Sequence, residues 1–291
     1  MKKQFNIAIL AACLGITGCT SVAESYFVQA RFVPERSDDF AFENDKVAFR
    51  VYGPALKNSQ ENNGTDCWLK RVSYPIIDKW YQGHTQGRSY HVDTGEGYDP
   101  YHVGSSLGCG GIALLNSDAE NSDDILLQPN VYQSYRLIEK TASQVIFELT
   151  YEWPEQNIRE LKRITLQKGK QLYKADSVFT RNGQPVSLEV AVGVTTHDGK
   201  AVAKNNDNNV ITTWEQIDDS ELGTSVILPA GVNARYVLQQ SNAKDRSHAL
   251  LITQSNSDGK LTYYAGFAWS KAGEITSFTQ WQDYTQSFLV D

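Results

Sequence analysis

The sequence predicts an all-β protein, an antiparallel sandwich or barrel, on three observations. The run Val145–Trp153 alternates cleanly, with Val145, Phe147, Leu149, Tyr151 and Trp153 opposite Ile146, Glu148, Thr150 and Glu152. Runs of the same kind recur at 160–166, 172–179, 188–194, 249–255 and 261–269. Turn signals punctuate them, Lys168-Gly169-Lys170 between the second and third, and Asp258-Gly259, a hairpin signal, between the last two. Many short strands with close turns point to that architecture.

Length and charge set the outer bounds. The chain has 291 residues, enough for one large β-domain with a sizeable core. Its net charge of −7 argues against nucleic acid as a partner, because phosphate binding needs clustered lysine and arginine. Acidity does not exclude an anionic sugar, since one arginine pair can hold one carboxylate. The 6 tryptophans and 15 tyrosines serve strand packing first, and suit stacking on sugar rings as well.

The opening residues read as an address. Lys2 and Lys3 precede an apolar run too short to span a bilayer, and Ile16-Thr17-Gly18-Cys19 resembles a lipobox. Residues 1–18 are therefore expected to be a lipoprotein signal peptide and Cys19 the lipidated residue, with a secretory signal cut later as the alternative. Thr20, where aspartate would favour the inner membrane, points to an outer-membrane lipoprotein of the cell envelope, anchored to the membrane by lipid. Residues 19–38 read as a tether leading into a first strand region, and 39–291 as one β-sandwich domain.

Phe40–Tyr52 has period-two patterning, with Val47, Phe49 and Val51 on one face and Ala48, Arg50 and Tyr52 on the other. Gly53-Pro54 ends it. The stretch from Asp66 to Gly111 lacks sustained periodicity and gathers His84, His91 and His102 with glycines, aromatics and acids. Near the C-terminus, Ser277 is placed to cap a short helix with Phe278, Trp281 and Tyr284 or Thr285 on one side. With Cys13 and Cys19 in the address, Cys67 and Cys109 remain. A disulfide between them suits an oxidising compartment, and two buried thiols are the alternative.

Phe42-Glu43-Asn44-Asp45, Ala48 to Ala55, Trp68-Leu69-Lys70-Arg71, Lys79-Trp80-Tyr81 and Tyr90-His91 are similar to a bacterial family known as domain of unknown function 4861. Gly95 to Asp99, Val103 to Gly111, Tyr263 to Gly266 and Trp269-Ser270 extend the similarity, which covers nearly all of the mature chain. The resemblance implies an envelope protein of a polysaccharide-degradation system, often one handling uronic acids. It also implies a large sandwich of the mutarotase or supersandwich kind. It supplies no catalytic residues.

Chemistry on a uronate needs a group to neutralise the carboxylate, a base for the C5 proton and an acid for the leaving oxygen on C4. The Asp66–Gly111 stretch offers these types. His91 is the expected base and Tyr98 the acid, or the reverse, with His102 beside them; Arg50, Arg71 or Arg88 would hold the carboxylate. Trp68, Trp80 and Asp99 complete the expected substrate contacts. The activity expected is that of a lyase or dehydratase on uronic-acid oligosaccharides. The alternatives are a non-catalytic sugar-binding lipoprotein and a mutarotase-like isomerase. No cofactor is expected. The histidines and acids lack the spacing of a zinc or calcium motif, and Gly104 to Gly108 misses the register of a nucleophile elbow. Glu43, Glu96 and Asp99 would have to meet in space to act as glycosidase carboxylates.

Overall fold

The computed structural model describes residues 27–101, 104, 106–206 and 209–288. The signal peptide, Cys19 and His102 lie outside them. Five strands open the fold: β1 (Gln29–Val33), β2 (Asp39–Glu43), β3 (Ala48–Val51), β4 (Asp66–Lys70) and β5 (Gly97–Tyr98). Helix α1 (Ile77–Thr85) sits between the last two. The chain continues through β6 (Cys109–Leu115), β7 (Leu126–Leu127), β8 (Ser134–Lys140), β9 (Gln144–Trp153), β10 (Ile158–Gln167), β11 (Leu172–Arg181) and β12 (Gln184–Pro185). It ends with β13 (Glu189–Thr195), β14 (Val202–Asn206), β15 (Val210–Ile217), β16 (Ser220–Ile227), β17 (Ala234–Gln239), β18 (His248–Gln254), β19 (Lys260–Trp269) and helix α2 (Phe278–Ser287).

Three antiparallel sheets result. The first runs β1-β2-β3-β4-β5, the second β14-β15-β16-β19-β11-β10-β9-β8 with β12 paired to β11, and the third β17-β18-β13-β6-β7. One apolar core, including Phe42, Phe49, Phe147, Tyr173, Val192, Leu251 and Phe267, takes residues from all three. This is the expected antiparallel β-sandwich, and α2 is the expected C-terminal helix: Ser277 accepts the Gln280 N–H, and Trp281 and Thr285 are buried.

Gln29–Val33 is the first strand region to which the tether leads, with Val28, Ala30 and Val33 buried where β1 pairs with β2. Two local expectations are corrected. Phe40–Tyr52 is two strands, turned where the Asn44 side chain accepts the N–H groups of Lys46 and Val47. The Asp258-Gly259 turn joins different sheets: β18 pairs with β13 and β17, whereas β19 pairs with β11 and β16.

Cys67 and Cys109 form a disulfide, 42 residues apart in sequence, which ties the first sheet to the third. In the chain-entropy picture a loop of that length is worth about 4 kcal/mol. Beside it, Gly110 has φ +98°. A Cβ there would lie 2.1 Å from the Ala265 Cβ, and Tyr173 and Tyr263 both donate to the Gly110 carbonyl. The glycine-rich end of the Asp66–Gly111 stretch is scaffold.

Candidate functional site

The site begins with the placement of α1. Glu43, at the end of β2, accepts the N–H groups of Ile76 and Ile77, where a carboxylate also meets the positive end of the helix dipole. Lys70 from β4 neutralises it at 2.7 Å and donates to the carbonyls of Asn44 and Tyr74. The helix then lays Ile77, Trp80 and Tyr81, spaced i, i+3 and i+4, on the outer face of the first sheet. Trp68 lies beneath, its ring centroid 5.0 Å from Tyr81, 5.2 Å from Trp80 and 5.0 Å from Tyr90.

Under this aromatic layer is a buried charged hub. Arg50 donates from Nε to Asp66 at 2.6 Å, from Nη1 to the Tyr90 hydroxyl at 2.9 Å and from Nη2 to the Tyr52 hydroxyl at 3.0 Å. Its Nη2 also reaches Asp66 and stands 3.3 Å from Asp99 Oδ2. The guanidinium is packed over the rings of Tyr52, Trp68 and Tyr90. Arg50 and Asp66 are direct cross-strand partners on β3 and β4, which fixes the pair. Asp99 arrives from the far end of the loop, where its N–H donates to the Tyr90 carbonyl and its Oδ1 accepts the Tyr101 N–H.

Burial raises the Asp66 and Asp99 carboxyls above the ordinary carboxylate range, against the pull of Arg50. Asp39, which faces Arg36 at 3.8 Å, is pushed by burial from 3.8 to about 6. A carboxyl that holds its proton more tightly when folded contributes stability that is complete below its unfolded pKa and is lost as pH rises through the folded one. Stability should therefore fall between pH 4 and pH 7. In Asp39→Asn the fall should be shallower by roughly 2–3 kcal/mol, about two pKa units, in urea midpoints taken across that range. Glu96 acts below this window. Burial would raise it, but donors from Lys79, Tyr74 and Trp80 hold it low.

Above the hub is an open pocket of about 440 Å³. Trp80, Tyr90, Lys79, Arg88 and Glu96 are among its walls. Lys79 is paired with Glu96 at 2.5 Å. Arg88 is exposed, its guanidinium donates to the Gln86 side-chain carbonyl at 2.8 Å, and it has no ion pair among the described residues. His91 stands on the edge of Tyr90, ring centroids 4.5 Å apart, with its side chain 47% exposed. Its Nδ1 lies 2.9 Å from the Asp99 carbonyl and 3.7 Å from Asp99 Oδ2. With the Nδ1 proton on that carbonyl, the lone pair is on Nε2.

The structure thus brings Arg50, Trp68, Trp80, Arg88, His91 and Asp99 into one neighbourhood, though Arg50, Trp68 and Asp99 are too buried to touch a substrate directly. Two other expected residues make their contacts elsewhere. Tyr98 donates to Asp218 at 2.6 Å, and burial with that carboxylate raises its pKa. Arg71 is engaged by Asp93 and the Gly95 carbonyl over the Trp269 ring. Glu43, Glu96 and Asp99 do not share a site, since each is held by a different cation. Among the described residues, no three His, Cys, Asp or Glu side chains are grouped to hold a metal ion. Sequence reasoning missed Asp66 and Glu43 as organisers; the i, i+3, i+4 apolar triplet after Pro75 was the available signal for α1.

The fold and site together define an antiparallel β-sandwich protein with an aromatic pocket built over a buried arginine–carboxylate hub. The chain belongs to the family described as Domain of unknown function (DUF4861), whose model matches residues 16–290. It is 35% identical over 302 residues to Uncharacterized protein P7 of Formosa agariphila, covering 99% of this chain and 72% of that one. Among solved structures it is similar to a heparinase III gene product, with TM-score 0.43, 11% identity and 87% of this chain covered. It is also similar to the GH36 alpha-galactosidase AgaB from Geobacillus stearothermophilus, with TM-score 0.41, 7% identity and 84% covered. The chain spans 36% and 41% of the length of those two structures.

Proposed function

We propose that the protein is a carbohydrate-active envelope lipoprotein, anchored through Cys19, that acts as a lyase or dehydratase on uronic-acid-containing oligosaccharides. The observation that carries this reading is the exposed His91 imidazole, oriented by Asp99 and packed against Tyr90, a wall of the aromatic pocket that also holds Arg88, which has no ion pair among the described residues. A sugar ring stacks on Trp80 or Tyr90, and Arg88 holds the uronate carboxylate, where charge builds as the C5 proton leaves. His91 Nε2 takes that proton. The C5–H electron pair becomes the C4–C5 double bond, and the C4–O bond breaks. Where proton and leaving group share a face of the ring, the same imidazolium returns the proton to the departing oxygen. The expelled group is a sugar in a lyase and water in a dehydratase.

Incubation with pectin, alginate and ulvan oligomers should give a product whose conjugated double bond absorbs in the ultraviolet and shows a vinyl proton by NMR. Folded protein that binds these oligomers and never forms the double bond would instead be a sugar-binding lipoprotein. Faster anomer interconversion with no double bond would mark a mutarotase-like isomerase.

A further inference from the structure

A second pocket, of about 430 Å³, opens where the second and third sheets meet and shares no residue with the first. Strands β6, β7, β13, β17 and β18 supply most of its wall, with Gln156 from the turn between β9 and β10 and Arg181 at the end of β11. Trp153 of β9 donates to the Leu127 carbonyl at 2.8 Å, which ties the two sheets together beside it. The volume lies in the range of small-molecule sites, roughly 300–1,000 Å³. Leu115, Ile125, Leu127, Leu188 and Val237 line it and are only partly buried. Scattered apolar side chains at a surface are ordinary, whereas a group of them around one cavity marks a place for a ligand.

Charge selects that ligand. The chain has 34 acids against 27 lysines and arginines, and carboxylates hold most of its arginines, Arg31, Arg71, Arg136, Arg163 and Arg246 among them. Arg181 and Arg235 are exceptions that share this pocket. Neither makes an ion pair or a side-chain hydrogen bond among the described residues. Arg235 is the cross-strand partner of Ile252, so a cationic head and an aliphatic wall are neighbours on one face of the sheet. Glu189 is the single acid of the wall and pairs with neither arginine, which leaves the pocket one net positive charge. No aromatic ring of the described residues lines the cavity, so the stacking surface that Trp80 and Tyr90 offer in the first pocket has no counterpart here.

We propose that this pocket binds a small amphiphilic carboxylate, its aliphatic chain lying among the leucines and its carboxylate paired with Arg181 and Arg235. The occupant follows from this wall alone, not from the elimination chemistry of the first pocket.

The test is calorimetric titration of the folded full chain with butanoate, hexanoate and octanoate, with octanol and galacturonate as the two incomplete ligands. Affinity should rise roughly threefold for each added CH₂, the signature of an aliphatic chain leaving water. Arg181→Met and Arg235→Met, both at exposed positions, should each weaken octanoate by roughly tenfold or more, and Glu189→Gln should tighten it. Octanol, which lacks the carboxylate, should bind roughly tenfold more weakly or worse. Galacturonate, which lacks the aliphatic chain, should not displace octanoate. Octanoate that fails to bind saturably, or that binds the Arg181→Met/Arg235→Met double variant as tightly as the wild type, would overturn the site. Displacement of octanoate by an equal concentration of galacturonate would overturn the ligand class in favour of an acidic sugar.

Discussion

His91→Gln should fold normally, keep its oligosaccharide affinity and lose elimination by about 10²- to 10⁴-fold in kcat, the usual contribution of one positioned acid–base group. Asp99 explains why the loss should be that large. Its carbonyl fixes the Nδ1 side of the ring, and its buried carboxyl stands 3.7 Å behind, so the imidazole is held in one orientation with Nε2 outward. Glutamine occupies similar space and cannot accept the C5 proton at neutral pH. Steady-state kinetics on the oligomer that gives the unsaturated product separate this effect from one on binding. Arg88→Met should do the opposite: a charge-assisted hydrogen bond of 1.5–3 kcal/mol is lost, so KM rises roughly 10- to 100-fold where binding and transition state share the contact. If His91→Gln retained wild-type kcat, the assignment of the base would fail.

Arg50→Met should destabilise the fold by about 3–5 kcal/mol, since removing one partner of a buried ion pair leaves the others uncompensated. Here the partners are Asp66, fully buried and bonded to Arg50 Nε, and Asp99 at 3.3 Å. For a chain of this size that loss lowers Tm on the order of 10 °C. The variant should recover part of its stability below pH 5, because both carboxyls can then take up protons that they already favour. Asp66→Asn in the Arg50→Met background should also relieve it, which a mere packing defect would not. Thermal scans and urea titrations of the single and double variants measure both effects.

What could be read from the sequence follows from how plainly each element separates its two faces. Strand β9 was legible because its inward residues are all apolar. Strands β14 to β17 were not, because β15 and β16 bury Thr212, Thr213, Glu215, Thr224 and Ser225, with Thr213 paired to Thr224 and Ser225 donating to the Ile211 carbonyl. Period-two hydrophobicity is invisible where buried positions carry hydroxyls. Helix α1 was hidden for a similar reason: only Ile77, Trp80, Tyr81 and Gly83 are buried, in nine residues. Arg50 and Asp99 could be picked out by type, but their meeting depends on Asp66, which is 16 positions from Arg50 and carried no motif of its own.

The Cys67–Cys109 bridge has a consequence for the integrity of the molecule once its backbone is cut. The segment it encloses contains α1, Tyr90, His91 and Asp99, and its exposed loop at 86–89 is the kind of segment that proteases cut. A single cut there leaves the two halves covalently joined and the opposite ends of the pocket still anchored to β4 and β6. Such a nicked chain should migrate as one species on a non-reducing gel and as two after reduction. Its pocket would outlast the first cleavage, where an unbridged chain would be held by non-covalent contacts alone.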